Sequence, residues 1–442
     1  MIKYKQYFQN KKITVMGLGL LGRGLGYTKF LAECGAELIV TDLKTSEQLA
    51  TSVKALEKFP KIKFVLGEHR LEDFRDRDMI IKSAGVPMDS IYINEARKNS
   101  IPIEMDVSLF AKCAPEVTVI GVTGTRGKSM TTTLIYEILK NNEKALKRNV
   151  FVGGNLRGVA TLPLLKKVKA GDILVCELDS WQLQGFGDSK ISPHISVFTS
   201  FMPDHMNYYK NSMQDYFADK ANIFKYQNKD DILIIRPAVR PLIRGLGVKS
   251  KIITINKKDV LNWKFNVPGE HNKENLACAV AVAKNLGIPE NKIKKAVANL
   301  KDLEGRLQLL KIYKGIKIYN DNNATTPEAT IAGVEALKKN IVLLCGGADK
   351  KLDLTNFVKV INKNCKLVVL IPGTGTEKLV SSGKLLVASK ETKDLKEAVK
   401  EAIKQSKKGD IILFSPAFAS FGMFNNEYER NDLFMKIIKG LK

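Results

Sequence analysis

Short, nearly continuous apolar runs recur along this chain, each closed by glycine or a polar residue before a stretch with helical spacing begins. Parallel strands buried on both faces and joined by crossover helices produce this pattern, so it predicts an α/β protein. In the first block a strand over Ile13–Met16 runs into Gly17-Leu-Gly-Leu-Leu-Gly22, and a helix closed by Gly35 follows. A second strand, Glu37–Thr41, ends at Asp42, and the block continues through Met79–Ser83 to a boundary near Cys113. The second block holds the strands Val117–Val122, Asp172–Glu177 and Ile195–Ser200 and runs to about Leu303. In the third, strands fall near Ile316–Tyr319, Ile341–Cys345, Leu367–Ile371 and Ile411–Phe414.

The sharpest chemical signal is Val117-Thr-Val-Ile-Gly-Val-Thr-Gly-Thr-Arg-Gly-Lys-Ser129. Here a strand stops at a glycine-rich turn that delivers Lys128 and Ser129 to the start of a helix. The N–H groups of such a turn converge on one point, and the helix dipole adds positive potential there. Lys128 then reaches outer phosphates and the Ser129 hydroxyl can sit on Mg²⁺. The standard spacing asks for glycine where Val122 stands; Gly121 and Gly124 flank that place. Strand, loop and helix together predict binding of ATP or GTP. Gly17, Gly19 and Gly22 with Asp42 form a dinucleotide fingerprint, which taken alone predicts NAD.

A net charge of +25, from 71 Lys+Arg against 46 Asp+Glu, invites a nucleic-acid reading. The lysines are scattered, single or in pairs such as Lys166-Lys167, and no arginine-rich run occurs, so no nucleic-acid partner is expected. Six cysteines lie far apart with no Cys-x-x-Cys pair, as in a protein with reduced thiols. The first residues lack an apolar signal core, and no run approaches the roughly 20 apolar residues of a membrane span. A cytoplasmic protein is the expectation.

Several residues stand where chemistry is placed in such sheets. Glu177 closes an apolar strand beside the phosphate loop, as a Mg²⁺ ligand would or as a simple helix cap would. His205 follows another strand, in Asp204-His-Met206, and is either a metal or catalytic group or a structural histidine. Lys220 shares a helical face with Phe217, Ala221 and Phe224. Its ammonium either snorkels to water or turns inward towards a phosphate and metal site. Asn272 and Asn275 in Gly269-Glu-His-Asn-Lys-Glu-Asn275 can bond a purine or cap the following helix. Arg306 can act as a cationic clamp on a phosphate, and Lys350 and Ser420 can hold a carboxylate.

Taken together, Gly124-Thr-x-Gly-Lys-Ser129, Gly154-Asn155, Glu177-Leu-x-Ser-x-Gln182, Asp204-His-Met206 and Gly269-Glu-His-Asn-x-x-Asn275 resemble the Mur ligase family, over about Lys12–Lys436. Gly346-Gly-x-Asp-Lys350 and Ser415-Pro-Ala-x-Ala-Ser-Phe-x-Met-Phe424 resemble its D-glutamate-adding branch. The resemblance implies three domains: a Rossmann-like UDP-substrate domain over 1–113, a central P-loop ATPase-type parallel-sheet domain over 114–303, and a Rossmann-like amino-acid-binding domain over 304–442. It implies a monomeric, ATP- and Mg²⁺-dependent ligase that joins D-glutamate to UDP-N-acetylmuramoyl-L-alanine through an acyl phosphate, with domain closure before chemistry.

By the same resemblance Leu20, Asp42, Ser83 and Asn155 contact the UDP substrate. Gly124, Thr125, Arg126, Gly127, Lys128, Ser129, Asn272, Asn275, Arg306 and Asp321 bind ATP. Ser129, Glu177, His205 and a carbamylated Lys220 hold metal, with Lys128, His205 and Lys220 catalytic. Thr325, Lys350 and Ser420 receive the acceptor. The chain departs from the family at Arg126 (usually Asn), Met130 (often Thr), Asp179 (a serine), Asn323 (a lysine), Gly422 (an acid) and Glu427-Tyr428 (an aromatic position). Two other readings follow from the residues: an NAD-dependent oxidoreductase, from the glycine fingerprint, and a nucleotide-binding relative with decayed activity or another acceptor, from Asn323 and Asp179.

Overall fold

The structure, a computed structural model, describes residues 2–300 and 303–441, so the outermost predicted domain residues, 1 and 442, lie outside it. Strands β1 (Lys12–Met16), β2 (Glu37–Asp42), β3 (Ile62–Leu66), β4 (Met79–Lys82) and β5 (Ile103–Glu104) form an all-parallel sheet in the order β3-β2-β1-β4-β5. The order reverses between β1 and β4, which opens a crevice at the carboxyl end of β1, where the Gly17 loop begins.

A second all-parallel sheet contains β6 (Thr118–Thr123), β7 (Val150–Gly154), β8 (Ile173–Glu177), β9 (Ile195–Phe198), β10 (Ile232–Ile235) and β11 (Lys251–Thr254), in the order β11-β10-β9-β6-β8-β7. Every residue of β8 is buried, as its continuous apolar run predicts. Because β6 lies between β9 and β8, the loops that follow these three strands share one edge of the sheet.

The third sheet contains β12 (Gln308–Tyr313), β13 (Ile316–Asn320), β14 (Ile341–Gly346), β15 (Cys365–Ile371), β16 (Ser389–Glu391) and β17 (Ile411–Phe414), in the order β12-β13-β17-β14-β15-β16. It is parallel except at one edge, where β12 pairs antiparallel with β13. Only Lys314 and Gly315 join that pair, both at positive φ (49° and 78°). Two residues make a tight hairpin turn but cannot make the crossover a parallel neighbour needs.

By compactness the chain divides into two units, one of Met1–Val260 with Asn275–Ala296, the other of Leu261–Glu274 with Val297–Lys442. The first unit contains the first two sheets and the second unit the third sheet. All six cysteines are buried and none forms a disulfide. Among the described residues no helix is long and apolar enough to cross a membrane.

Candidate active site

The loop after β6 is shaped by two glycines that no other residue could replace without displacement. Gly127 caps the helix Lys128–Lys140 with φ +86°, a left-handed conformation that a side chain disfavours. A Cβ on Gly124, at φ +141°, would lie 2.1 Å from Thr199 Oγ1, so the loop after β9 lies directly against this turn. Thr125 N donates to Ser200 O (2.8 Å), and Thr199 Oγ1 donates to Arg126 O (2.6 Å). Backbone freedom and close approach at a helix N-terminus form a cradle for an anion.

Two lysines converge on that cradle. Lys128 Nζ donates to Gly124 O at 2.9 Å, and Lys220 Nζ donates to the same oxygen at 3.1 Å. Lys220 is 1% exposed, on the helix Met213–Ala221, and sits over the Tyr216 ring. The inward alternative for Lys220 is therefore the one observed. The helix is shorter than its apolar spacing suggests and leaves Phe224 beyond its end, though Phe224 is still buried. Burial, and then the charge of Lys128, hold the Lys220 amine well below the usual lysine range. Burial also lowers Lys128, with Glu177 opposing that shift.

Glu177 ends β8, buried and in register with Val122 of β6 and Gly154 of β7. His205 has φ +55°, a left-handed conformation in which His is enriched among non-glycine residues. Its ring lies 4.7 Å from that of Trp181, centroid to centroid. Asp204 accepts from His205 N through Oδ1 (3.0 Å) and from Arg126 Nη1 through Oδ2 (2.7 Å). Asp179 caps the helix Ser180–Asp188 in a reciprocal box with Gln182, which gives this departure a structural role. No group of three or more His, Cys, Asp or Glu among the described residues is arranged to hold a metal. Ser129 offers a hydroxyl, Glu177 a carboxylate and His205 an imidazole, the kinds of donor that would hold a divalent cation. That sparse, oxygen-rich set suits Mg²⁺, which keeps waters and takes further oxygens from substrate phosphates.

Asn275 lies inside the helix Glu270–Asn285, and its Oδ1 accepts from Thr131 Oγ1 (3.0 Å) and from an Arg236 guanidinium nitrogen. Asn272 Nδ2 donates to Pro268 O at 2.7 Å. Because the helix begins at Glu270, neither asparagine is its N-cap, and the capping alternative falls away.

In the first unit the Gly17–Gly22 loop leaves β1. A Cβ on Gly17 would lie 2.4 Å from Ser83 Oγ, so Ser83 closes onto this turn. The Asp42 carboxylate accepts from Gly19 N and Lys44 N, both at 2.9 Å, while Leu20 is exposed at the loop's tip. Each Asp42 oxygen accepts one of these amides and keeps a lone pair for a further donor. Asn155 N donates to Glu177 O, and Gly158 N donates to Leu21 O (3.1 Å), so the loop after β7 bridges the glycine loop and the end of β8.

In the second unit the loops after β13, β17 and β14 share one edge and are stitched together. Ala417 N donates to Ala324 O, and Ala348 and Ala419 exchange backbone bonds at 3.0 and 3.1 Å. Lys350 Nζ thereby donates to Thr325 Oγ1 at 3.3 Å, while Ser420 is buried on the neighbouring loop. Asp321 is buried, accepting from Ser415 Oγ (2.8 Å) and Leu307 N (3.1 Å), and burial pushes its carboxyl up to about 7. Arg306 Nη1 donates to Asn323 O (3.5 Å), and Asn323 Nδ2 to Glu304 O (3.3 Å).

Two buried arginines escaped the sequence reading. Arg236 directly follows β10, so the strand-end rule that singled out Glu177 could have found it. Arg430, fully buried, donates to the Asn322 side chain and to the Asn322 and Phe418 carbonyls. It sits inside a helix in a stretch of charged residues, and no local signal marks it.

A phosphate cradle, a glycine-loop crevice and a lysine-bearing loop edge on a third sheet define a class. The chain matches, in succession, the Mur ligase MurD-like N-terminal domain over residues 11–104, the Mur ligase middle domain over 122–244 and the Mur ligase glutamate ligase domain over 305–418. It belongs to the Mur ligase family. It is 34% identical to the UDP-N-acetylmuramoylalanine--D-glutamate ligase of Roseiflexus sp. (strain RS-1), over 97% of this chain and 98% of that one. Identity to the enzyme of the same name from Borreliella afzelii (strain PKo) is 35%, with the same coverage. Among solved structures, UDP-N-acetylmuramate-alanine ligase from Thermotoga maritima superposes with a TM-score of 0.63 at 21% identity, covering 98% of this chain and 100% of that one. At that identity the likeness speaks for the fold.

Proposed function

We propose that the protein is an ATP-dependent, amide-forming ligase that joins D-glutamate to UDP-N-acetylmuramoyl-L-alanine in peptidoglycan synthesis. The observation that carries this reading is the convergence of Lys128 and Lys220 on the Gly124 loop beside Glu177, in a chain similar over nearly its whole length to D-glutamate ligases. A MurF ligase from Thermotoga maritima, of the same fold at a TM-score of 0.55, was solved with ADP, which agrees with ATP as the phosphoryl donor.

In this reading the L-alanyl carboxylate attacks the γ-phosphorus of ATP; a P–O bond forms, the bond to ADP breaks, and an acyl phosphate results. The D-glutamate amine then attacks the acyl carbon, loses a proton, and inorganic phosphate departs. Lys128 offsets charge on the transferring phosphoryl group, and the amides of Gly124–Gly127 with the helix N-terminus orient it. The depressed Lys220 amine is poised to add CO₂, forming an N–C bond and releasing a proton, which turns a buried cation into a carboxylate. Ser129, Glu177, His205 and the carbamylated Lys220 would hold Mg²⁺, which when bound shields phosphate charge. Leu20, Asp42, Ser83 and Asn155 take the UDP substrate, and Thr325, Lys350 and Ser420 take the carboxylates of D-glutamate.

The test is phosphate release with ATP, Mg²⁺ and UDP-N-acetylmuramoyl-L-alanine against a panel of D- and L-amino acids. Release with D-glutamate alone is expected. Preference for an L- or basic amino acid would overturn the acceptor, and no release with any acceptor would favour the decayed relative.

A further inference from the structure

We propose that Arg126 is a positioning residue that ties the phosphate loop to the His205 loop through Asp204, an inference that rests on the ligase reading above. Arg126 stands where the family usually has asparagine, whose shorter, uncharged side chain cannot make the same ion pair. Its Nη1 donates to Asp204 Oδ2 at 2.7 Å and to Thr125 O at 3.1 Å, while Asp204 Oδ1 accepts from His205 N. The ion pair is largely shielded, with side-chain exposures of 26% and 13%, so water weakens it less than it would a surface pair. Backbone and hydroxyl bonds already hold the two loops together as far as Met202: Arg126 N donates to Ser200 Oγ (2.9 Å), and Met202 N to Thr125 Oγ1 (3.1 Å). Beyond Met202 the chain must turn through His205 in its left-handed conformation. The Arg126–Asp204 pair anchors that turn from the phosphate loop. The imidazole is thus set beside Trp181 with its position linked to the loop that takes the phosphates.

Trp181 reports on this link without any ligand, because the chain has two tryptophans and Trp263 can be removed. In a Trp263→Phe background, acrylamide quenching of Trp181 should rise about twofold in Arg126→Asn, and Arg126→Lys should fall between that variant and the parent. Asp204→Asn should give the same rise, and the double variant no more than either single change, since both break one interaction. In the otherwise unaltered chain, Arg126→Asn should raise the Mg²⁺ concentration for half-maximal phosphate release about tenfold while changing the maximal rate less. Unchanged quenching in Arg126→Asn, or additive effects of the two substitutions in folded protein, would overturn the proposal. The quenching arm needs no turnover, so failure of the Arg126–Asp204 link and failure of the ligase reading, shown by an inactive parent, are told apart.

Discussion

Lys128 and Lys220 donate to one carbonyl oxygen, that of Gly124, at 2.9 and 3.1 Å. Two ammonium groups on one acceptor repel, by about 3 kcal/mol for unit charges ~5 Å apart at an effective dielectric constant of ~20. Desolvation adds to the cost at Lys220, which is deeply buried. The arrangement relaxes when one lysine gives up its proton, and Lys220 is the more strongly depressed. Burial and mutual repulsion therefore favour loss of the proton from Lys220 over loss from Lys128.

For Lys220 we predict that replacement by alanine abolishes phosphate release, and that short carboxylic acids partly restore it by filling the vacated anionic place. Intact-mass analysis under bicarbonate should show a CO₂ adduct in the parent and none in Lys220→Ala. Equal adduct levels in both proteins would remove Lys220 from the chemistry.

Lys128→Ala should lower phosphate release by about 10² or more, since a cation aimed at developing phosphoryl charge in a dry site is worth several kcal/mol. Circular dichroism should be unchanged, because among the described residues the Lys128 ammonium donates to Gly124 O and Thr125 O of its own loop. Near-parental turnover in the folded variant would be fatal to the phosphate-loop assignment.

Asp321 supplies a pH prediction. Burial lifts its carboxyl from 3.8 to about 7, with Ser415 and Arg306 opposing. The folded chain therefore keeps a proton that the unfolded chain releases. This contribution to stability is whole below pH 3.8 and is lost as pH rises through about 7. Asp321→Asn retains an acceptor for Leu307 N but cannot ionise. It should gain on the parent as pH rises from 5 to 8, by about 3 kcal/mol, while phosphate release falls. Urea melts at both pH values would decide; a gap between the two proteins that does not grow with pH contradicts the prediction.

At the acceptor edge, Lys350→Glu should raise the KM for D-glutamate about 10²-fold, because a like charge replaces the counter-charge of a buried carboxylate. ATP affinity should stay within about twofold, measured by equilibrium binding. An unchanged KM would move the acceptor away from the Lys350–Thr325 pair.

Local pattern alone determined a good deal. Apolar runs broken by glycine specified an α/β chain, and the strand-glycine-helix order at Val117–Lys140 located the anion cradle. Strand ends singled out Glu177, and helical spacing put Lys220 on an inward face. These signals are legible because strand and helix periodicity and the special backbone of glycine act over a few residues. Which loops face one another was settled by the tertiary structure. Placing β6 between β9 and β8 brings Thr199, Ser200 and Asp204 against the phosphate loop, and placing β17 between β13 and β14 brings Lys350 to Thr325. Strand order reflects the packing of whole layers, which no short window of sequence records. For the same reason the burial of Arg430, the cap made by Asp179 and the choice of Lys220 between water and the Gly124 carbonyl became visible only in the folded chain. Each depends on partners distant in sequence, whose approach is determined by burial of the entire sheet.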